Sequence, residues 1–487
     1  MTLDARGARA GIERIATGIG PLDQILCGGI PQYSIVFVAG PPGTGKTVLC
    51  QQMLFASAQT SQRVLYLSTL SEPVLKMIRF VQEFSFFKPA MVGKEVVYGD
   101  LGSALIRNEG GAGVLAQIEE LIAHHRPDFL VIDSFKVLRE FFGEVAPFRE
   151  FCSALMVRLT AWEVTSVFVG EYAHDDIWEQ PEFSIADGII FLYGTEEPRR
   201  QKRFLRVMKM RGTDYFSGQH YFEISSDGID LYPRMDPRDI GEYQAPPERV
   251  GSVIDGLNVM MGGGIQNGTS ALIVGGAGTG KTLAAMSFLV EGAREGKPGL
   301  FVSFEESAQQ LVRNCEPFGW DLGGLMKRGL LDVYHVAPSE LDVDRHAVVI
   351  KQRAAAIRAH RIVLDTITAI EASVLDRGKY QAHLWTIIDY FKRIGATIVM
   401  THESAAQAEL IKGGENHLSF LADTILSMQL IEVDSMLQQT LTVLKMRGGA
   451  HDKSIRQYII DPPRIAVGDV FRNGSRSVGS RGAGLSI

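Results

Sequence analysis

Short apolar runs recur along the chain, and stretches in which apolar residues have helical spacing separate them. Ile35–Ala39, Phe129–Asp133 and Thr165–Glu171 are such runs, and their length and composition predict buried β-strands. Strands that alternate with helices are joined by crossovers, which predicts a mostly parallel sheet flanked by helices on both faces. The pattern therefore predicts the α/β class.

The same succession of strands and helices occurs twice. Residues 17–47 align with residues 252–282 without a gap, and apolar strands ending in Asp133 and Asp365 follow in the two halves. Because 487 residues exceed the size of one hydrophobic core, we predict two tandem domains. Prolines mark the linker between them, and Gly, Ser and Arg dominate the C-terminal tail. The predicted bounds are an N-terminal extension at 1–16, a first domain at 17–235, a linker at 236–249, a second domain at 250–472 and a flexible tail at 473–487.

Each half carries a phosphate-binding loop of the form G-x-x-x-x-G-K-[ST], at 40–47 and at 275–282. Backbone amides of such a loop and of the following helix converge on phosphate oxygens. The lysine reaches the β- and γ-phosphates, and the Thr hydroxyl binds Mg²⁺. We therefore predict two ATP sites per chain. The expected ATP contacts are Gly43, Thr44, Gly45, Lys46, Thr47 and Val48, and Gly278, Thr279, Gly280, Lys281, Thr282 and Leu283.

Further acidic residues complete the predicted chemistry. Asp133 and Asp365 end buried strands, where they are suited to hold the Mg²⁺ ion with its waters; the alternative is a strand-end turn residue. Glu305 and Glu306 follow another strand and fit activation of the attacking oxygen, although acids are also favoured at helix starts. The first half offers only Glu72 there, so hydrolysis in that half stays open.

A Lys and an Arg recur near the end of each half. In Leu205, Val207, Lys209 and Arg211 the alternation predicts that the Lys and Arg project together from one face of a strand, as do their counterparts in the second half. A solvated strand end is the alternative. An arginine that neutralises transferred phosphate often comes from an adjacent subunit, which makes ring assembly part of the mechanism.

The double phosphate loop, Phe304-Glu305-Glu306, the segment 318–322 and the segment 445–456 together resemble the KaiC family of clock ATPases and autokinases, which have RecA-like P-loop domains. The resemblance implies a two-tiered homohexamer with ATP and Mg²⁺ at subunit interfaces, and protein partners that regulate it. It implies catalytic roles for Glu305, Glu306 and Glu72 with the two loop lysines, and adds Glu305 to the Mg²⁺ ligands Thr47, Asp133, Thr282 and Asp365. The residues that it implies on the neighbour's ATP are Lys209, Met210, Arg211, Lys445, Met446, Arg447 and His451.

Two positions depart from the pattern of that family. Ser419 falls on the serine phosphoacceptor position, but Phe420 replaces the adjacent threonine and cannot accept phosphate. Ser419 is therefore the phosphoacceptor candidate, with a structural serine as the alternative. Tyr215 stands in the first half where the second has His451.

Composition and charge weigh against other classes of protein. The net charge is −7, and the one basic run, at 199–203, more simply begins a strand than binds DNA, so a RecA- or DnaB-like DNA motor is an alternative with weak support. An ATP-assembled scaffold with little turnover is the other alternative. No apolar run has the length of a membrane span, and the first residues lack a signal-peptide core, so we expect a cytoplasmic protein.

Overall fold

The structure of the protein is a computed structural model. It describes residues 12–69, 73–102, 105, 110–197, 200–234, 248–337, 342–373, 377–404, 420–433, 435–471 and 476–477. The chain divides into two compact units, Met1–Arg234 and Met235–Ile487.

Nine of the strands formed by the described residues of the first unit make one sheet, in the order β11-β10-β9-β8-β3-β7-β6-β4-β5. The strands from β8 to β5 run parallel, and β9, β10 and β11 extend the sheet antiparallel from β8. The strands are β1 (Arg14–Ile15), β2 (Ile30–Pro31), β3 (Ile35–Gly40), β4 (Val64–Ser68), β5 (Val96–Asp100), β6 (Phe129–Asp133), β7 (Thr165–Glu171), β8 (Gly188–Glu197), β9 (Arg200–Met210), β10 (His220–Ser225) and β11 (Gly228–Tyr232).

Helices cover both faces of this sheet. α1, α2 and α3 pack on one face, around α2 residues such as Met53 and Phe55, and α4, α5 and α6 pack on the other around Phe135 and Phe148. The apolar strands are buried on both sides, as a parallel sheet requires. The helices are α1 (Gly20–Ile25), α2 (Lys46–Gln59), α3 (Val74–Val81), α4 (Gly110–His125), α5 (Phe135–Phe142), α6 (Val145–Ala161) and α7 (Asp176–Glu179).

The second unit repeats this topology in the order β16-β15-β17-β18-β14-β19-β20-β21-β22. Its strands are β12 (Arg249–Val250), β13 (Ile265–Gln266), β14 (Ser270–Gly275), β15 (Gly299–Ser303), β16 (Leu331–His335), β17 (Arg361–Asp365), β18 (Thr397–Glu403), β19 (Thr424–Val433), β20 (Met436–Met446), β21 (Arg456–Asp461), β22 (Arg464–Val470) and β23 (Arg476–Ser477). Its helices are α8 (Leu257–Met260), α9 (Lys281–Arg294), α10 (Ala308–Cys315), α11 (Leu322–Lys327), α12 (Val343–Ala356), α13 (Ile367–Ser373) and α14 (Arg377–Arg393). The predicted α/β class with a mostly parallel sheet in each half is confirmed.

Short strands lie near the predicted domain bounds. β1 falls within the segment predicted as an extension, and β12 begins at the last residue of the predicted linker. β23 lies in the predicted tail and pairs with Ile431 and Glu432, where β19 runs past the end of β14. Residues 236–247 and the rest of the tail lie outside the described residues. Among the helices of the described residues, none has the length and apolar character to cross a membrane.

A buried histidine fixes the end of the first unit. His220 is fully buried; its Nε2 lies 3.0 Å from the Phe216 carbonyl oxygen, and its Nδ1 accepts a hydrogen bond of 3.0 Å from the Arg234 backbone N–H. An Nδ1 that accepts carries no proton, so these bonds require the neutral ring. Burial lowers the pKa of His220.

We predict that acid weakens the first unit through His220. Below the unfolded-state pKa of about 6.5, His220 binds a proton in the unfolded chain but stays neutral in the folded one. The free energy of unfolding therefore falls as the pH drops, by at most about 1.4 kcal/mol per pH unit. Urea unfolding at pH 7.5 and 5.5, followed by circular dichroism, measures this loss. His220→Gln keeps a donor and an acceptor without titrating, and its loss should be smaller than that of the parent; equal losses contradict the assignment.

Candidate functional site

Each phosphate loop joins a central strand to a long helix, β3 to α2 and β14 to α9, and both turns require glycine. Gly45 and Gly280 cap the two helices with φ of +96° and +91°. A Cβ on Gly45 would lie 2.7 Å from Ile224 Cδ1, and one on Gly280 would lie 2.5 Å from Ile460 Cδ1. The left-handed backbone and the close packing together exclude a side chain.

The loop lysines lie folded over their own loops. Lys46 Nζ donates to the Pro41 carbonyl and Lys281 Nζ to the Gly276 carbonyl, both at 2.8 Å. Burial lowers the pKa of each lysine, and nearby acids oppose that shift. Each ammonium group thus stands at the mouth of its loop, where a phosphate would take the place of the carbonyl.

The other predicted loop residues divide into two groups. Positions 43 and 278 have left-handed backbones with open space around them, and the Thr44 and Thr279 hydroxyls bond loop carbonyls at 2.9 and 2.8 Å. The partly buried side chains of Val48 and Leu283 pack against the cores.

The loop threonines and the strand-end aspartates contact each other in both units. Thr47 Oγ1 donates to Asp133 Oδ2 at 3.0 Å, and Thr282 Oγ1 donates to Asp365 Oδ2 at 2.9 Å. Burial raises the pKa of Asp365, against the bonds from two Thr hydroxyls. The peptide bond after each Asp is cis. Hydroxyl and carboxylate oxygens side by side form a donor set that suits Mg²⁺.

Two further hydroxyls reach these aspartates, and the sequence analysis missed both. Tyr66, on β4, donates to Asp133 Oδ2 at 2.7 Å. Thr401, on β18, donates to Asp365 Oδ1. Sequence spacing gives no signal for either bond, because each depends on the register between neighbouring strands.

A glutamate opposite each loop was also missed. Glu171 pairs in register with Gly40, and Glu403 pairs with Gly275, the first glycines of the loops. Of the charges that raise the pKa of the loop lysine, this glutamate is the strongest in both units. The repeated Glu at the end of equivalent strands was the available signal.

The Glu pair of the second unit is split between two environments. Glu306 accepts a hydrogen bond of 3.0 Å from Asn314 Nδ2 on α10. Burial raises the pKa of Glu305, and the charges of Asp365 and Glu403 raise it further. Glu305 therefore shares the electrostatic field of the loop, whereas Glu306 is engaged by the following helix.

The helix-start explanation for this pair is not supported. α10 begins at Ala308, its N-cap is Ser307, and its first turn contains no acid. Both glutamates precede the cap, so the favourable interaction of acids with a first helical turn does not account for them.

A further polar side chain stands at an equivalent position in the two units, on β20 in the second and on β9 in the first. Gln439 Nε2 donates to the Gly278 carbonyl of the second loop at 3.2 Å. Arg203 occupies the equivalent position in the first unit, on β9, and its Nε is enclosed without a hydrogen-bond partner in the described structure. Residues 200–203 of the basic run lie in β9, as the simpler interpretation predicted, and residue 199 lies outside the described residues.

The alternation predicted for the Lys and Arg pairs is wrong at one step. Ile190 pairs with Val207 but Ile189 pairs with Lys209, so one extra residue, Met208, forms a bulge. Because Ile189 and Ile190 belong to opposite cores, Lys209 faces away from Val207. The second unit has the same irregularity, between the partners of Ile425 and Leu426 on β20.

The Lys and Arg of each pair nevertheless end at one corner. Lys209 and Arg211 reach the Ala186 carbonyl and the Asp187 carboxylate. Lys445 Nζ donates to the Ala422 carbonyl at 2.8 Å, and Arg447 Nη1 lies 3.3 Å from Asp423 Oδ1. The corner lies at the amino end of the parallel strands, since Asp187 and Asp423 accept from the backbone N–H at the start of β3 and β14.

The remaining predicted residues have mixed outcomes. The side chains of Met210 and Met446 pack against the cores. His451 has an enclosed Nε2 without a hydrogen-bond partner in the described part of the chain. Glu72 and Ser419 lie outside the described residues.

Comparisons with known proteins agree with this geometry. The family model described as ATPase: KaiC matches residues 15–236 and 250–470. The chain is 28% identical to the circadian clock oscillator protein KaiC of a Picosynechococcus strain, over 98% of this chain and 94% of that protein. It is 27% identical to KaiC 1 of a Synechocystis strain, over 98% of this chain and 93% of that protein, and 27% identical to KaiC of Rippkaea orientalis, over 96% and 91%.

We predict that alanine is tolerated unequally in the second loop. Gly280→Ala combines a left-handed backbone with a clash and should cost roughly 1–3 kcal/mol of local stability, with a large loss of nucleotide affinity. Gly276→Ala meets open space and no positive φ, so it should change both little. Gly278→Ala isolates the effect of a positive φ. Titration with a fluorescent ATP analogue in a Lys46→Ala background measures the order; equal affinity for all three contradicts it.

Proposed function

Because the chain belongs to the KaiC family of ATPases, we propose that it binds and hydrolyses ATP at two sites and that an adjoining subunit completes each site. The observation that carries this proposal is the separation of two half-sites on one sheet. The phosphate loop of each unit is at the carboxyl end of the parallel strands, and the Lys and Arg corner is at the amino end.

The separation is too large for one subunit to close. Ser270, whose N–H bonds Asp423, and Gly275, where the loop begins, are the two ends of β14. At about 3.3 Å per residue the strand spans roughly 16 Å, and a sheet strand does not fold back on itself. Lys445 and Arg447 are therefore available to the nucleotide of another copy and not to their own. Rotational repetition of this contact gives a closed ring, and we propose the two-tiered hexamer of the family.

The side chains of the site fit ATP with Mg²⁺. The open space at positions 43 and 278 leaves a cradle for phosphates, and the bonded Thr–Asp pair in each unit offers oxygen ligands. Bound Mg²⁺ neutralises charge on the phosphate oxygens during transfer. Lys46 and Lys281 would exchange a loop carbonyl for phosphate.

Glu305 is the proposed acceptor of the proton from the attacking oxygen in the second unit. Its raised pKa favours proton uptake, and its charge is coupled to Lys281 and Asp365. Glu306 would assist by holding the segment against α10. In the first unit Glu72 keeps this role as a proposal.

Autophosphorylation and regulation belong to the same proposal. We retain Ser419 as the acceptor, which makes the second unit a serine autokinase as well as an ATPase in this proposal. The domain bounds 17–235 and 250–472, a cytoplasmic location and regulatory protein partners are proposed on the same family basis. Lys202 and Arg203 of the basic run lie in strand β9, which weakens the support for the DNA-motor alternative.

We predict that two inactive variants restore each other. Lys281→Ala chains lose the second loop but keep Arg447, and Arg447→Ala chains keep the loop. When assembled together in equal amounts, about a quarter of the interfaces join a whole loop to a whole Arg447, so about a quarter of the second-site ADP release should return.

The double variant Lys281→Ala/Arg447→Ala sets the baseline from the first unit. A mixture that releases ADP no faster than the average of its two components would show that Arg447 does not act on a neighbour. Lys46→Ala/Lys281→Ala should abolish ADP release; turnover at the parent rate would end the ATPase assignment.

We predict that Glu305→Gln lowers the rate of the chemical step more than Glu306→Gln does. Glu305 is coupled to Lys281, and Glu306 to α10, so the first should lose roughly 10²–10⁴-fold and the second less. ADP release, native mass and intact mass are measured after incubation with Mg-ATP. A gain of one phosphate that disappears in Ser419→Ala supports the autokinase; a phosphate that remains contradicts Ser419 as the acceptor. Equal losses in both Gln variants contradict the assigned division of roles.

A further inference from the structure

The strand-end aspartate of each unit receives a second hydroxyl, from opposite sides. Asp133 ends β6, which lies between β4 and β7, and Asp365 ends β17, which lies between β15 and β18. In the first unit the donor is Tyr66, on β4. In the second unit the donor is Thr401, on β18.

At two equivalent positions, the unit that carries the hydroxyl and the unit that carries an apolar side chain are reversed. Strand register aligns Tyr66 with Phe301, because each lies two residues before the serine that pairs with the aspartate. Val169 pairs with Asp133, and Thr401 follows the residue that pairs with Leu364, so these two positions also correspond. Tyr differs from Phe, and Thr from Val, chiefly by a hydroxyl. Each unit carries one hydroxyl and one apolar near-isostere.

All four side chains are enclosed. Tyr66 and Val169 are 1% exposed, and Phe301 and Thr401 are 0% exposed. Water does not reach a group so placed, and a buried hydroxyl needs a partner in the protein. In both units the partner is the corresponding strand-end aspartate. The hydrogen bond to that aspartate therefore explains why a hydroxyl is kept at one of the two positions.

We propose that Tyr66 in the first unit and Thr401 in the second are positioning residues that orient the Mg²⁺-binding aspartate. This inference rests on the proposed function and deepens it. A Thr hydroxyl that ligates the metal can still donate its proton to the carboxylate, and the second donor then fixes the rotation of that carboxylate. One such donor is required at each aspartate, and either neighbouring strand can supply it.

The oxygen that is bonded differs between the units. Thr47 and Tyr66 both donate to Oδ2 of Asp133, whereas Thr282 and Thr401 donate to different oxygens of Asp365. The strand that supplies the second donor therefore lies on opposite sides of the aspartate's own strand in the two units. In the first unit the donor's strand leads to residue 69 and the segment with Glu72, and in the second it ends at Glu403.

The test is metal dependence in the full chain. Lys281→Ala restricts the readout to the first site, where the affinity of a fluorescent ATP analogue is followed during titration with MgCl₂. Tyr66→Phe should raise the half-saturating Mg²⁺ concentration about tenfold, as loss of a residue that orients a metal ligand does. Adding Val169→Thr to that variant should return the value to within about twofold. The control Tyr221→Phe removes a hydroxyl that bonds Glu223 on β10 and should cause no shift.

The reciprocal variants keep the proposal testable if Tyr66→Phe folds poorly. In a Lys46→Ala background, Thr401→Val should weaken Mg²⁺ binding at the second site, and Phe301→Tyr added to it should restore binding. Binding of Mn²⁺, measured by electron paramagnetic resonance, provides a second readout without turnover. An unchanged metal dependence in both single variants, or no rescue in both double variants, overturns the inference. Parent chains that bind no nucleotide with Mg²⁺ would instead overturn the proposed function.

Discussion

Strand direction is the constraint on which the rest of this molecule depends. In a parallel sheet every crossover returns the chain to the same edge, so the phosphate loop, the strand-end aspartate and the glutamate opposite the loop meet at the carboxyl ends. The antiparallel strand that follows runs the other way and delivers its Lys and Arg to the amino ends. An arginine that acts on transferred phosphate lowers the barrier by roughly 4–7 kcal/mol. Arg447 is largely exposed, lies 3.3 Å from Asp423 and stands at the far end of its own sheet, so in the proposed mechanism it lowers that barrier at the site of a neighbouring subunit.

Much of this arrangement is local in sequence and could be predicted from it. The loops, their lysines and the strands that end in Asp133 and Asp365 follow from short motifs and apolar runs. The bulge at Met208 could not be predicted, because one extra residue leaves the apolar pattern unchanged while it reverses the face of Lys209. Glu171 was missed for a different reason: only the order of strands in the sheet brings β7 beside the loop strand.

Comparison of the two units distinguishes the groups that both sites keep from the side chains that each unit supplies from a different strand. Both units keep the loop lysine, the bonded Thr–Asp pair and the Lys and Arg corner. They differ in the groups that support them: Gln439 bonds the second loop where the first unit has Arg203 at the equivalent strand position, and Thr401 or Tyr66 bonds the aspartate. A backbone that holds two strands beside every aspartate provides two places for one donor, so the hydroxyl can move while the geometry is kept. The asymmetry of the units is thus confined to side chains that orient the reacting groups.

The electrostatics of the second site suit the proposed binding of a triphosphate. Burial lowers the pKa of Lys281 and raises the pKa of Glu305 and of Asp365, so the enclosed site favours fewer charges than water would. Triphosphate adds negative charge beside the lysine, which raises the pKa of both the ammonium and the carboxyl. In the proposed mechanism Lys281 then stays charged beside the phosphate, and Glu305 becomes a better acceptor of the proton from the attacking oxygen. Burial also strengthens the attraction between Lys281 and a bound phosphate, because opposite charges interact more strongly in a medium less polar than water.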